Sequence, residues 1–149
     1  MARLSLRSGC STMNRTDLQE LAELRLKEAR SLLDRSFFDG AYYLAGYAVE
    51  CALKARIAKQ TRQYDFPDKA LANQAHTHNL NQLVGVAGLK EELEVKVRSD
   101  SGFELNWAIV KDWSEEARYQ RHREAKVRDF IRAVVDRRRG ILAWLRVHW

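Results

Sequence analysis

Proline is almost missing from this chain. Pro67 is the only one among 149 residues, and seven glycines complete the set of backbone breakers. Long stretches therefore run uninterrupted, which favours helices. No stretch alternates apolar and polar residues with a period of two, so strands are not expected. Cysteine is scarce as well. Cys10 and Cys51 form no Cys-x-x-Cys pair, and Cys51 reads as a small buried residue in a reducing cytoplasm. There is no glycine-rich phosphate loop, no Gly-x-Ser-x-Gly and no His-Glu-x-x-His, which removes the commoner enzyme classes recognisable from short motifs. No run has the length and continuous apolarity of a membrane span, and residues 1–12 carry Arg3 and Arg7 without the apolar core of a secretion signal. A cytoplasmic protein without a membrane attachment is expected.

Apolar residues make up 46% and charged residues 31%, the composition of one compact globular domain with a real core. The most informative stretch is 37–58. Ala41, Ala45, Ala48 and Ala52 share a helix face that lets a neighbouring backbone come close, while Tyr42, Tyr43, Leu44, Tyr47, Val49 and Leu53 fill the remaining sides. A helix apolar all round is either a membrane span or a central core helix. Glu50, Lys54 and Arg56 argue against the span, because a charge near its centre costs about 2.5–3.5 kcal/mol. The segment reads as the buried hub of a helical bundle.

Around that hub the spacing predicts a first helix over about 17–36, with Thr16 and Gln19 as a capping box, and a second over about 40–60 begun by Asp39-Gly40. Residues 61–79, with Pro67, read as an exposed loop. Leu80, Leu83 and Val84 start a third helix that Gly85 and Gly88 weaken and that resumes through Leu93 and Val97. Ser99 to Gly102 read as a turn, and Ser114 as the cap of a short helix. Val127, Phe130, Ile131, Val134, Ile141, Leu142 and Leu145 predict one long last helix ending near Arg146. The expected fold is all-α: an antiparallel up-and-down bundle of four main helices plus a short extra one. Residues 1–15 are expected to be a disordered lead and 16–149 the domain. Either Met13 is the natural start or the preceding residues are that lead.

The net charge is +6, and residues 118–149 hold ten Lys and Arg against three Asp and Glu, a balance of +7. The basic excess is thus confined to the C-terminal part, where it suits a polyanion or the solvated face of an outer helix. Arg118 and His122 are four apart, so on a helix they would share a face. One can hold a phosphate while the other moves a proton, as cleavage of an RNA phosphodiester requires. An Arg-His pair also arises easily by chance in so basic a segment. Arg121, Arg123, Lys126 and Arg128 are the candidate nucleic-acid contacts. Glu50 and Lys54 form an i,i+4 pair in the favoured order. In apolar surroundings Glu50 is either satisfied by Lys54 or faces a cleft. His76 and His78 could meet one metal ion, but no further ligand stands at a suitable spacing, so neither a metal nor a cofactor is expected. The tryptophans Trp107, Trp113, Trp144 and Trp149 suggest more apolar surface than one small domain can bury, and hence a homodimer.

These features occur in a recognisable order. Phe38-Asp39-Gly40-Ala41-Tyr42-Tyr43-Leu44-Ala45-Gly46-Tyr47-Ala48-Val49-Glu50-Cys51-Ala52-Leu53-Lys54 is followed by His78-Asn79-Leu80, by Trp113 through Arg118-Tyr119, and by the basic C-terminal segment. Over about residues 16–147 the chain resembles the HEPN domain, a small helical module found in prokaryotes and higher eukaryotes and named for nucleotide binding. The resemblance implies a dimerising antiparallel bundle, often encoded beside a minimal nucleotidyltransferase in toxin–antitoxin or defence pairs. Many members are metal-independent ribonucleases whose motif is an Arg and a His separated by four to six residues. Here the resemblance points to Arg118 and His122, with only three residues between them. Arg123 and Glu124 follow the His, where members controlled by nucleotidylation carry a Tyr. The resemblance therefore implies either a ribonuclease acting through Arg118 and His122, or a non-catalytic module that binds nucleic acid, a nucleotide or a partner through its basic end.

Overall fold

The computed structural model describes residues 13–63 and 73–149. The expected disordered lead, apart from residues 13–15, and the stretch of the expected loop around Pro67 lie outside the described residues. Seven α-helices and one 3-10 turn are delimited among the described residues, with no strand: α1 (Arg15–Asp34), α2 (Phe38–Gln63), α3 (Leu80–Val86), α4 (Lys90–Ser99), α5 (Ser101–Val110), the 3-10 turn (Glu115–Tyr119), α6 (Glu124–Val135) and α7 (Ile141–His148). The chain is all-α as expected, in more and shorter pieces than four main helices.

Asn14 starts α1. Its side chain accepts the Asp17 N–H at 2.9 Å, and the Asp17 carboxylate accepts the Asn14 N–H at 3.0 Å. The capping box is thus two residues earlier than the Thr16–Gln19 reading, because Asp17 reaches back to the cap and Thr16 is already helical. The break before α2 is at Ser36, whose φ of 64° ends the helical path. Asp39 lies inside the first turn of α2, not at its cap. The short connection brings α2 against α1, and Ala22, Leu26 and Ala29 of α1 share the core with Ala41, Ala45, Ala48 and Ala52 of α2. All four of these alanines are fully buried, as are Val49 and Leu53. The buried hub read from the sequence is present.

Gly88, with φ +68°, separates α3 from α4. Asp100 separates α4 from α5 and caps the latter, its carboxylate accepting the Phe103 N–H at 3.1 Å. The single long last helix is not found. Asp136 turns its carboxylate onto the N–H groups of Arg138 and Arg139 at 2.9 and 2.7 Å, stopping α6, and α7 restarts at Gly140. A Cβ there would stand 2.3 Å from the Asp136 carbonyl oxygen, so the turn requires glycine. Periodicity missed this break because Val134 and Ile141 are seven residues apart, in phase on either side of it. Arg56 ties the C-terminal part to α2 by donating to the carbonyls of Ala87 and His148 at 3.3 and 3.1 Å.

The tryptophans do not supply the excess surface expected of them. Trp107 and Trp113 are buried, and Trp144 and Trp149 pack against the core. The exposed large apolar side chains are others, among them Leu105, Ile109 and Tyr119. Among the described residues no helix is long and apolar enough to cross a membrane.

Candidate nucleic-acid interface

Arg118 and His122 do not share a helix. Arg118 belongs to the 3-10 turn, His122 to the extended connection that follows it, and α6 begins only at Glu124. Their neighbours differ, a residue of α2 for His122 and the next residue of the turn for Arg118. His122 stacks on Tyr42, with ring centroids at 4.1 Å. Arg118 is exposed, its guanidinium 4.8 Å above the Tyr119 ring, and its pKa is raised, chiefly through Tyr119, with Glu115 and Tyr43 adding to the effect. The i,i+4 geometry expected from spacing is absent because the chain between them is not helical.

His122 is held from every side and is only 9% exposed. Its backbone N–H donates to Asp39 at 2.6 Å, which fastens the connection to the start of α2. Ring Nε2 lies 3.1 Å from the Ala117 carbonyl oxygen. A carbonyl only accepts, so Nε2 carries the hydrogen. The lone pair on Nδ1 then faces the Lys126 ammonium at 3.3 Å, which also sits 4.8 Å over the Tyr42 ring. Both ring nitrogens are engaged, and neither is presented to a substrate.

Around this wedge Arg121, Arg123 and Arg128 are exposed, as is Lys126, although its ammonium turns toward His122 and Tyr42. Arg128 pairs with Glu124 at 2.9 Å, whereas among the described residues neither Arg121 nor Arg123 has a carboxylate partner. Arg123 stands at the N-cap of α6 without a side-chain cap bond. Farther along, Arg128 and Arg132 line a groove against Arg30 of α1.

The Glu50–Lys54 pair forms, at 2.8 Å. It extends to His78, which the sequence weighed as a metal neighbour of His76 and placed in a loop. The same Glu50 oxygen stands 2.6 Å from Nδ1 of His78, and His78 Nε2 reaches Glu115 at 3.2 Å. His78 therefore bridges α2 to the 3-10 turn that carries Arg118. Glu50 is 1% exposed, and its second oxygen has no partner among the described residues. Burial above all, and then the Glu50 charge, push the Cys51 thiol up to about 11. Among the described residues no group of three His, Cys, Asp or Glu stands where it could hold a metal ion. The sequence marked Asp39 as a helix start and His78 as a possible metal neighbour, but no local pattern advertised the contacts that Asp39, His78 and Glu115 make, since their partners lie 28 to 83 residues away.

No curated protein and no solved structure matches the chain. A family model does. It is described as the HEPN domain and matches residues 16–148, so the chain belongs to the HEPN family, whose roles are nuclease or nucleic-acid related.

Proposed function

We propose that this HEPN protein is a non-catalytic module that binds RNA through the exposed cations running from Arg118 through Arg121, Arg123 and Lys126 to Arg128. The observation that carries this reading is the state of His122. It is buried, stacked and bonded at both nitrogens, while Arg121 and Arg123 beside it are exposed and lack carboxylate partners among the described residues. Two-pronged guanidinium contacts suit phosphate oxygens, and the neutrality of the rest of the chain concentrates the attraction at this end. A cytoplasmic homodimer fits the family, with exposed Leu105 and Ile109 of α5, one helical turn apart, as the candidate contact. A cognate nucleotidyltransferase is the partner the resemblance suggests.

The rival reading is a metal-independent ribonuclease in which Arg118 holds the phosphate and His122 moves the proton. It requires His122 to leave Lys126 and the Ala117 carbonyl. One experiment separates the two. Purified protein in EDTA is incubated with single-stranded RNA, and its binding is measured across a salt series. The expected result is no cleavage and a log–log salt slope of about −0.7 per phosphate contacted, made shallower by Arg121→Ala or Arg123→Ala. Cleavage that leaves a 2′,3′-cyclic phosphate and disappears in His122→Ala would establish the ribonuclease instead.

A further inference from the structure

Tyr119 is 79% exposed, the most exposed large apolar side chain among the described residues. It adds nothing to the core, yet its ring is covered on one face by the Arg118 guanidinium. Next to it the outward side of α2 carries a second aromatic group. Tyr43 and Tyr47 are half-buried, with ring planes within 7° of parallel, and Tyr43 packs 6.0 Å from Trp113. Trp113 is fixed in turn by Gly46, whose missing side chain makes room for the indole. Tyr43 and Trp113 are therefore held in place before any ligand arrives. Arg118, which lies over the Tyr119 ring, is carried by the 3-10 turn that packs against α2.

We infer that Tyr119, Arg118 and Tyr43 form a stacking site for unpaired bases of single-stranded RNA, with Arg121 and Arg123 taking the adjoining phosphates. The inference rests on the RNA-binding reading and narrows it to unpaired strands. In a duplex each base face is covered by its neighbour, so only the backbone could meet these residues. In an unpaired strand, exposed bases stack on tyrosine and arginine planes. A protein partner would also use tyrosine and arginine. The surrounding surface favours a polyanion, because Arg121 and Arg123 lack carboxylate partners among the described residues.

The test compares a labelled, unstructured oligoribonucleotide, its blunt duplex and free ATP by fluorescence anisotropy, using the full chain. The single strand is expected to bind more tightly than the duplex, and ATP much more weakly than either. Tyr119→Ala should weaken the single strand about tenfold without changing the salt slope, since a stacked base is worth roughly that factor or more. Tyr119→Trp should retain binding. Tyr119 touches no core residue, so the alanine variant will fold. Photocrosslinking should place the RNA on the peptide containing Tyr119. Equal affinity for strand and duplex, with Tyr119→Ala silent, would overturn the stacking site and leave RNA binding by the cations intact. Tight binding of ATP alone would overturn the strand assignment. Failure of every polynucleotide to bind at low salt would remove the RNA reading itself.

Discussion

Gly46→Ala should be among the most damaging single-methyl changes in this protein. A Cβ at that position would sit 2.1 Å from Cε2 and Nε1 of Trp113 and 2.3 Å from Cδ1. Ordinary contact begins near 3.4 Å, so the indole plane must retreat by more than an ångström. It has little room, being 2% exposed and backed by Tyr43. Overpacking of this kind costs about 1–3 kcal/mol, and complete expulsion of the indole would approach the roughly 3–5 kcal/mol of a Trp→Ala truncation. Against this, alanine gains about 1 kcal/mol over glycine inside a helix. The net loss in urea unfolding followed by circular dichroism should therefore be up to about 2 kcal/mol if the indole shifts and about 2–4 kcal/mol if it is expelled. The sign should reverse when the ring is removed. In a Trp113→Leu background, only helix propensity remains, and Gly46→Ala should become neutral or mildly stabilising. The same substitution shifts the segment leading into the 3-10 turn, so RNA affinity should fall in the first background. An unchanged urea midpoint for Gly46→Ala, or an equal loss in both backgrounds, would refute the packing argument.

Other consequences can be measured with the same protein. Glu50→Gln should lower stability by about 1–3 kcal/mol, because the buried carboxylate accepts from both Lys54 and His78. A melt unchanged from wild type, with weakened RNA binding, would mean that Glu50 faces ligand instead. The carboxyl pKa of Asp100 is lowered chiefly by the Phe103 N–H, and that of Asp136 by the N–H groups of Arg139 and Arg138. Depressed carboxyl values stabilise the fold above the unfolded value, and that contribution is lost as pH falls through the folded one. The stability gap between wild type and Asp100→Asn or Asp136→Asn should therefore close as pH drops below about 4; a gap independent of pH would contradict this. Light scattering should give twice the 17.3 kDa chain mass, and Leu105→Asp should reduce it to one; a monomer at every micromolar concentration counts against the dimer.

How much of this was legible in the sequence depended on the range of the interactions. The α2 hub was readable because burial on all sides leaves a local trace, an apolar segment with alanines at three- and four-residue steps. Gly46 stood in the quoted segment, but its role depends on Trp113, 67 residues away, and no spacing rule connects them. The last helix was misread for the opposite reason. Val134 and Ile141 keep the right phase, and only the Asp136 side chain, turning back onto two N–H groups, breaks the path between them. The same limit governs the site. Spacing alone put Arg118 and His122 on one face, whereas Asp39 draws the His122 N–H toward α2 and extends the intervening chain. With that contact the two residues are separate features of the structure, a buried histidine that fastens the connection and an exposed arginine beside an aromatic ring. Of the three intervening residues, Tyr119 closes the 3-10 turn and Gln120 is extended, so His122 is carried off the turn and tied down at Tyr42, and the side chains left exposed beside it are the cations.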